Sequence, residues 1–388
     1  MKALTVPALV VGGGLNGLGV ARSLGAAGVP VYLLEARTDD PALASRYVRA
    51  LRASALAGEP LLATLERLGR ERFRGQRPVL LFTQEHSVST LASSQAQARL
   101  ALLYRFLSPS AEVLQALLRK TDFAVLAADA GLPVPKTVRL RGLVDLERAL
   151  ALRFPVVLKP AWHDPAYIRS GLARAYRAET PDEARRRIED MQRVLPEVVA
   201  QEWVEGGDEA IHFCLQHLCA EGRPLATFVG RKLRSWPPRI GGTAACVPAP
   251  EARVLAERTA RFFARLRVRG LAGMEYKLNA QGEYLAIEPT IGRSDYQEEV
   301  ATLNGVNLPL AYYLDTLGRG CEYRDGPARR IVWVDEEAER RSALAQGLAP
   351  RRWARADGPV RGALWRLRDP MPWLALRARR LAARLGRA

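Results

Sequence analysis

Short apolar runs separated by turn residues open the chain. Ala8–Val11 and Val31–Leu34 are continuous apolar runs that predict buried strands, and Val20–Ala27 between them predicts a helix. Pro78–Phe82 predicts a further buried strand. A start in the order strand, helix, strand is typical of an α/β open sheet with parallel strands, and we assign residues 1–115 to it.

The pattern changes further along the chain. Leu114–Ala130 has helical periodicity and ends at a Gly-Leu-Pro breaker. From about residue 154, short strands and hairpins become frequent, and Ile211–Leu218, which alternates apolar and polar residues, predicts a half-buried strand. The other predicted elements are the strands Phe154–Lys159, Val198–Val204 and Leu225–Lys232 and the helix Thr180–Val194, which begins with a capping-box sequence.

Two glutamates stand in a predicted hairpin, Met274–Leu278 and Glu283–Glu288. If the turn brings the two strand ends together, Glu275 lies opposite Ala286. Glu275 and Glu288 are then diagonal neighbours on one face, with Cβ atoms about 7 Å apart, a separation at which two carboxylates can bridge hard divalent cations. The alternative is an amphipathic hairpin with solvent-facing glutamates, and a slip of one residue would place them on opposite faces.

The composition is that of a globular protein, with 388 residues, 48% of them hydrophobic and 26% charged. At about 150 residues per domain, this length predicts two to three domains. The formal net charge of +17 predicts an anionic partner such as a nucleotide, a nucleic acid or a membrane surface. Nucleic acid is the least favoured of these, because no recognisable binding module is present. Only six of the 58 basic residues are lysines, so an interior lysine is a candidate for a specific role.

Cysteine and histidine usage indicates neither a disulfide framework nor a zinc site. The cysteines contain no CxxC pair and are predicted to be small buried residues in a reducing, cytoplasmic compartment. No run of eighteen apolar residues predicts a membrane span, and the N-terminal glycines argue against a signal peptide. His212 is expected on the polar face of its strand, hydrogen-bonded or solvated. The four cysteines are Cys214, Cys219, Cys246 and Cys321, and the other histidines are His86, His163 and His217.

Gly12, Gly14 and Gly17 follow the first strand with the spacing of a dinucleotide fingerprint, and Glu35 stands about twenty residues further on. The pattern has two interpretations. It predicts an NAD or FAD site, or it predicts a helix that packs closely on a sheet without a dinucleotide.

Five segments follow one another in a characteristic order. They are Lys120 before Gly-Leu-Pro-Val-Pro; Pro-Val-Val-Leu-Lys159; Glu202-Trp203-Val204 before Glu-Gly-Gly-Asp208; Gly-Arg-Lys232-Leu-Arg234 before Pro-Pro and Gly-Gly; and Glu275-Tyr-Lys with Glu288-Pro-Thr290-Ile-Gly-Arg293. Together they resemble the ATP-grasp superfamily, in particular its carboxylate–amine ligase branch. Proteins of this superfamily commonly begin with a βαβ domain that holds no dinucleotide, which favours the packing interpretation of the glycines.

The resemblance implies a site for ATP and Mg²⁺ between two lobes. It implies an ATP-dependent ligase that activates a small-molecule carboxylate as an acyl phosphate and joins it to an amine. The residues it implies are Lys120 and Lys159 on the α- and β-phosphates; Glu202, Trp203 and Val204 at adenine and Asp208 at the ribose; Glu275, Glu288 and Thr290 on the metal; Lys232 and Arg234 at the γ-phosphate or the substrate carboxylate; and Arg293 at the charge of the acyl phosphate intermediate.

Two departures from the family pattern bear on catalysis. Thr290 stands where the family usually has Asn, and a hydroxyl is a shorter and poorer magnesium ligand than an amide oxygen. The segment Ala161–Ala173, which includes Trp162 and Tyr167, lacks the glycine-rich lid often found over the phosphates. A catalytically weak ATP-binding protein that acts at a membrane surface or a partner interface is therefore an alternative, and an NAD- or FAD-dependent oxidoreductase is a less favoured one.

The expected architecture is an α/β N-terminal open-sheet domain followed by a two-lobed α+β ATP-grasp module. We expect its boundaries at 1–115 for the first domain, 116–205 for the small lobe, 206–330 for the C-terminal lobe with the metal site, and 331–388 for a basic extension. The sequence is also compatible with a homo-oligomer.

The C-terminal extension predicts a basic amphipathic helix that opens at Asp369–Trp373. Such a helix can lie on anionic lipid. The favoured alternative is docking on the domain surface or on a second subunit, with the arginines in solvent. Its arginine stripe is Arg377, Arg380, Arg384 and Arg387, and its apolar residues are Trp373, Leu374, Leu381 and Leu385.

Overall fold

A computed structural model of the chain describes residues 4–161, 170–173, 175–320, 324–325, 328–349 and 358–385. The predicted lid residues Trp162 and Tyr167, as well as His163, Cys321 and Arg387, lie outside these residues. The side chains of Arg384 and Leu385 are also outside the description.

The first domain is built on a four-stranded parallel sheet. Three of its strands are almost continuously apolar and buried because both faces of the sheet are covered there, whereas the edge strand Val48–Arg52 is partly exposed. The sheet order is β3-β2-β1-β4. The strands are β1 Ala8–Val11, β2 Val31–Glu35, β3 Val48–Arg52 and β4 Val79–Phe82, and the helices are α1 Gly14–Gly25, α2 Gly58–Glu71, α3 Glu85–Val88 and α4 Ser94–Ala101.

The small lobe is a four-stranded antiparallel sheet with two helices on one face. Leu146, Ile188 and Met191 from those helices pack on the apolar face of the sheet, so the opposite face is left for the cleft. The sheet order is β5-β8-β6-β7. The elements from residue 111 onward are α5 Ala111–Leu118, α6 Lys120–Asp129, β5 Thr137–Leu140, α7 Leu143–Leu150, β6 Val156–Pro160, β7 Tyr176–Ala178, α8 Pro181–Gln192 and β8 Val198–Glu202.

The C-terminal lobe is a large mixed sheet of order β13-β12-β9-β10-β11-β15-β16, with β14 paired to β10. The strands β15 and β16 show that the chain after residue 330 extends this same sheet. The elements are β9 Ile211–Leu218, β10 Pro224–Trp236, β11 Gly242–Pro248, α9 Val254–Arg265, β12 Gly270–Leu278, β13 Tyr284–Ile291, α10 Glu299–Leu303, α11 Leu308–Thr316, β14 Arg324–Asp325, β15 Val332–Val334, α12 Glu336–Ala345, β16 Val360–Gly362 and α13 Met371–Leu385.

Two sequence predictions need correction. The single helix predicted over Leu114–Ala130 is broken at Arg119, whose backbone is extended (φ −98°, ψ 117°). The break lets the Lys120 N–H donate to the Ala161 carbonyl at 3.1 Å, so a hydrogen bond to a segment distant in sequence overrides the helical periodicity. Ile211–Leu218 is buried along its whole length rather than half-buried, because β9 lies between β10 and β12 with both sheet faces covered. His212 is therefore buried rather than on a polar face.

The glycine-rich turn between β1 and α1 is filled by the protein's own carboxylates. The Gly13 N–H donates to Glu35 Oε2 at 2.6 Å, and the Gly14 N–H donates to the Asp40 carboxylate at 3.0 Å. These are the donors that a dinucleotide pyrophosphate would need at the start of the helix. A Cβ at Gly17 would overlap with the carbonyl oxygen of Gly12. The turn thus supports the packing interpretation and not the NAD or FAD alternative.

We expect Gly17→Ala to destabilise the protein by about 3 kcal/mol, because the added methyl group meets backbone that cannot move aside. The shift of the urea unfolding midpoint measures this effect. Gly142→Ala is the matched control, since a Cβ there meets no atom within 4 Å, and its midpoint should stay close to that of the wild type. Equal midpoints for the two variants would contradict the packing role of Gly17.

Candidate active site

The two predicted glutamates do lie on one face of the hairpin β12–β13, but not in the predicted register. Glu275 pairs directly with Glu288, not with Ala286. The predicted register is wrong by two residues. Leu278 pairs with Tyr284 rather than with Glu283, and a β-bulge between Glu275 and Tyr276 takes up one more residue of β13, Ile287. Residues directly opposite each other in an antiparallel pair project to the same side, so the bulge brings the two carboxylates closer than predicted.

Each glutamate is held by a lysine from another element. The Lys120 Nζ atom donates to Glu288 Oε1 at 2.8 Å, and the Lys232 Nζ atom lies 2.7 Å from Glu275 Oε2. The Lys232 side chain is only 4% exposed. Burial by itself lowers the pKa of Lys120, but the Glu288 and Glu85 carboxylates outweigh burial and hold this pKa above its ordinary value. The ammonium group of Lys120 is therefore charged at neutral pH.

Lys159 completes the set from the small lobe. Its Nζ atom donates to the side-chain oxygen of Gln201 at 3.1 Å, and the Gln201 amide donates in turn to Thr137 Oγ1 at 3.0 Å. Burial lowers the pKa of Lys159, against the attraction of Glu288 and Glu275. An anion placed beside this ammonium would stabilise its charged form and so raise the pKa of Lys159 again. Gln201 was not among the predicted site residues, although it directly precedes the predicted adenine segment Glu202–Val204.

Arg293 connects the hairpin to the carboxyl edge of the first domain. Its Nη2 atom lies 3.6 Å from Glu85 Oε2, and both side chains are mostly buried. The next residue, Ser294, donates from Oγ to Asn16 Oδ1 at 2.8 Å, and the Asn16 amide donates to the Thr83 carbonyl at 2.7 Å. These bonds hold the Arg293 loop against the segments that follow β1 and β4. Glu85 and Asn16 were not among the sequence predictions.

Trp203 and Lys277 form the other end of the cleft. The Trp203 indole is 8% exposed, and the Lys277 Nζ atom lies 4.3 Å from its ring centroid. Arg177 lies over the same ring at 4.8 Å. Burial lowers the pKa of Lys277 to about 8, against the attraction of Glu205 and other carboxylates. Among the described residues, the Trp203 indole N–H has no hydrogen-bond partner.

Some backbone and side-chain groups of the segment Glu202–Val204 are already occupied by hydrogen bonds within the small lobe. The Glu202 N–H donates to the Lys136 carbonyl at 2.9 Å, and the Trp203 N–H donates to the Pro155 carbonyl at 3.0 Å. The Glu202 carboxylate accepts the Arg153 N–H at 3.1 Å. Val204 is buried beside them. A role of this segment at adenine stays a prediction.

Arg234 and Asp208 are not placed with the lysine–glutamate cluster. Lys232 pairs with Cys246 and Arg234 pairs with Ala245, so a bulge in β10 sends their side chains to opposite faces. Arg234 instead lines a separate cavity of about 430 Å³ with Asp208 and Arg239. Both Asp208 oxygens accept backbone N–H groups, from Ser235 and Arg239, at 2.8 Å. The structure thus does not bring Arg234 together with Lys232, and a ribose contact by Asp208 stays a prediction.

The site fits a magnesium ion that is shared with phosphate. Among the described residues, no group of three or more His, Cys, Asp or Glu side chains is arranged to hold a metal ion by itself. Magnesium is commonly held by only one or two carboxylates together with phosphate oxygens. Glu275 and Glu288 supply two carboxylates, and Thr290 lies two residues beyond Glu288 on the same face of β13.

The cysteines agree with the sequence interpretation as far as the described residues extend. Cys214, Cys219 and Cys246 are buried, and no disulfide joins these three described cysteines.

No protein-family model matches the sequence, and no curated protein matches it significantly. Solved structures do match. The N5-carboxyaminoimidazole synthetase of Staphylococcus aureus aligns with a TM-score of 0.65 at 13% identity, over 85% of this chain and 82% of that one. The chain has the ATP-grasp fold.

Two further matches have the same architecture. The biotin carboxylase domain of the Hydrogenobacter thermophilus 2-oxoglutarate carboxylase aligns with a TM-score of 0.64 at 13% identity, over 84% of this chain and 72% of that one. An L-amino acid ligase from Bacillus licheniformis aligns with a TM-score of 0.59 at 16% identity, over 82% of this chain and 75% of that one. The predicted fold class is confirmed.

The lowered pKa of Lys277 predicts how the stability of the protein depends on pH. Between about pH 8 and the ordinary lysine value of 10.5, the unfolded chain binds a proton at Lys277 that the folded chain has lost. The free energy of unfolding should therefore rise with pH, by about 2 kcal/mol from about pH 7.5 to about 9.5, relative to a Lys277→Met variant. Urea titrations at both pH values measure the difference. Lys136→Met, at an exposed lysine, is the control, and parallel pH profiles for Lys277→Met and wild type would contradict the assignment.

Proposed function

We propose that the protein is an ATP-dependent ligase that phosphorylates a carboxylate and joins the resulting acyl phosphate to an amine. The observation that carries the proposal is the pairing of Glu275 and Glu288 at opposite register positions, each within 2.8 Å of a lysine from another element. ATP and Mg²⁺ are the proposed substrate and cofactor. The Staphylococcus aureus synthetase has been solved with ADP and the Hydrogenobacter thermophilus domain with MgADP, which supports the same use of the fold here.

The charges of the cleft suit a triphosphate. Lys120, Lys159 and Lys232 come from three different elements and converge on the two glutamates. A triphosphate needs cations on several sides, and compact ammonium groups supply them as point charges. When a nucleotide binds, its phosphate oxygens would replace the carboxylate partners of Lys120 and Lys232, which would leave Glu288 and Glu275 to hold Mg²⁺. Because burial lowers the pKa of Lys159, an added anion would favour the charged form of its ammonium group.

Glu275 and Glu288 would hold Mg²⁺, which would supply neutralisation of the negative charge that develops during phosphoryl transfer. Thr290 supplies a hydroxyl at the same face, directly or through water. The lysines Lys120 and Lys232 keep the two carboxylates in place through ion pairs. The protein thereby supplies a preorganised, nearly neutral cluster before the nucleotide enters.

The proposed reaction has two steps. In the first, a carboxylate oxygen of the substrate attacks the γ-phosphorus, the bond to the β–γ bridging oxygen breaks, and ADP leaves. In the second, the amine nitrogen attacks the acyl carbon, the bond to the phosphate oxygen breaks, and the nitrogen loses one proton. Arg293, oriented by Glu85 at 3.6 Å, binds the substrate carboxylate and then the charge on the acyl phosphate.

Trp203 and Lys277 are proposed to bind the base and ribose of the nucleotide. Two cations, Arg177 and Lys277, lie over the indole ring of Trp203. The hinge Glu202–Val204 contributes backbone groups, as the family resemblance implies. Gln201 acts as a positioning residue, because its amide fixes the Lys159 ammonium on the cleft side of the sheet.

Titration calorimetry with ATP, in the presence and absence of Mg²⁺, tests the nucleotide site without knowledge of the substrates. A second assay measures ADP release over a panel of amino acids, dipeptides and hydroxy acids paired with amines. Magnesium-dependent ATP binding together with ADP release that needs both an acid and an amine is the expected result. Binding without ADP release over the whole panel would favour the catalytically weak alternative, and the absence of ATP binding would overturn the proposal.

A further inference from the structure

The outward face of α13 carries an apolar stripe. Met371, Leu374 and Leu381 are 50%, 43% and 59% exposed, and Ala378 between them is exposed as well. Their spacing of three, four and three residues places all four on one side of the helix. Single exposed apolar residues are common on protein surfaces, but a continuous exposed stripe marks an interaction surface.

The opposite side of α13 is fixed on the protein. Trp373 and Leu376 pack against the core shared by the first domain and the large sheet. Arg379 pairs with Asp39 at 3.1 Å, and Arg380 approaches Glu337 at 3.4 Å. The helix is therefore docked as the favoured alternative predicted, and its apolar stripe faces away from the domain.

The segment before α13 continues the apolar surface. Leu367 is 86% exposed and Trp365 is 46% exposed, and the Trp365 ring contacts the Trp373 ring edge to face at 5.2 Å. Two side chains on the inner side of this segment fix it on the protein: Arg366 pairs with Glu299 at 2.9 Å, and Asp369 is buried. We call the surface formed by Trp365, Leu367, Met371, Leu374 and Leu381 the C-terminal apolar surface.

The charges around this surface determine what can cover it. Residues 358–385 contain seven arginines and one acidic residue, Asp369. Arg368 and Arg377 are exposed beside the apolar stripe. A second copy of the chain would bring the same arginines and the same net charge of +17 against them, which opposes association. The complementary partner is a flat anionic surface with an apolar interior.

We propose that the C-terminal apolar surface lies in the interface of an anionic lipid bilayer. Leucine, methionine and tryptophan side chains enter the boundary of the acyl chains, while Arg368 and Arg377 reach the headgroups. No helix among the described residues is long and apolar enough to span a bilayer, so the contact is peripheral. This property is independent of the proposed ligase activity, since none of its residues takes part in the lysine–glutamate cluster.

Co-sedimentation of the full chain with vesicles tests the proposal. We expect binding to equimolar phosphatidylcholine and phosphatidylglycerol vesicles, weak binding to phosphatidylcholine alone, and weaker binding as salt is added. Leu374→Glu with Leu381→Glu should lower the partition coefficient at least about tenfold, because two apolar side chains no longer enter the lipid. Leu102→Glu is the matched control, since Leu102 is 78% exposed directly after α4 of the first domain.

A second variant examines the charges while leaving the apolar stripe intact. Arg368→Gln with Arg377→Gln should lower binding to the phosphatidylglycerol vesicles about tenfold, and unchanged far-UV circular dichroism shows that the helix is retained. The proposal is overturned if wild-type protein does not bind the anionic vesicles at low salt, or if Leu374→Glu with Leu381→Glu binds as well as Leu102→Glu. A dimer in solution that the double leucine variant dissociates would show that a second copy covers the surface instead.

Discussion

Replacing Glu288 by glutamine should reduce ATP turnover by about 10²- to 10³-fold and abolish the magnesium-dependent part of ATP binding. The substitution keeps the shape of the side chain but removes one of the two carboxylates that face each other across β12 and β13. It also leaves the buried Lys120 without its carboxylate partner at 2.8 Å. The loss of one electrostatic contact to the transferring group commonly costs this much in rate.

Calorimetry with ATP and Mg²⁺ measures the effect on binding, and ADP release with any productive substrate pair measures the effect on rate. Glu283→Gln is the matched control, because Glu283 is an exposed glutamate at the turn of the same hairpin. Circular dichroism confirms that both variants fold. If Glu288→Gln binds ATP with the magnesium dependence of the wild type, the hairpin is not the metal site and the proposed mechanism fails.

Replacing Arg22 by methionine should destabilise the protein by about 3–5 kcal/mol. The Arg22 Nε atom lies 2.9 Å from Asp369 Oδ2, and the two side chains are 7% and 2% exposed. Its Nη2 atom donates to the Leu364 carbonyl at 2.9 Å. The variant leaves the Asp369 carboxylate buried without its cation, and the removal of one partner from a buried ion pair is strongly destabilising.

Urea unfolding measures the loss, and limited proteolysis shows where it acts. Because Arg22 joins α1 to the segment before α13, the chain after residue 358 should become the first part that a protease removes. Arg67→Met is the control, since the Arg67–Glu71 pair is more than half exposed on both sides and should contribute less than about 1 kcal/mol. Equal midpoints for Arg22→Met and Arg67→Met would contradict the anchoring role of the network.

Motif residues that lie close together in sequence were the most predictable part of the site. Glu275 and Glu288 share a hairpin, so alternation along two strands is enough to place them on one face. Lys120 and Lys159 were predicted to bind the nucleotide. The structure brings both side chains close to Glu288, and their role at the nucleotide stays a prediction. The register of the hairpin was not predictable, because the bulge beside Glu275 depends on how β12 fits between β9 and β13.

Residues that act by orienting others escaped the sequence analysis. Gln201 and Glu85 orient Lys159 and Arg293 across element boundaries. The contact of Lys277 with the Trp203 ring was missed for the same reason, because the two residues come from different lobes. Neither residue type nor spacing marks such a pair. Arg234 is the opposite case. It was predicted to act with Lys232 because the two residues are close in sequence, but a β-bulge between them sends their side chains to opposite faces of the sheet.

Local periodicity and residue chemistry were enough to predict the βαβ start, a hairpin with two glutamates on one face, and the scarce lysines of the cleft. These features depend on interactions within a few residues. Contacts between distant segments set the register of the glutamates, the break at Arg119 that places Lys120, and the side of α13 that docks. Each of these features depends on packing or hydrogen bonds between segments that are distant in sequence, and a local sequence pattern contains no information about such contacts.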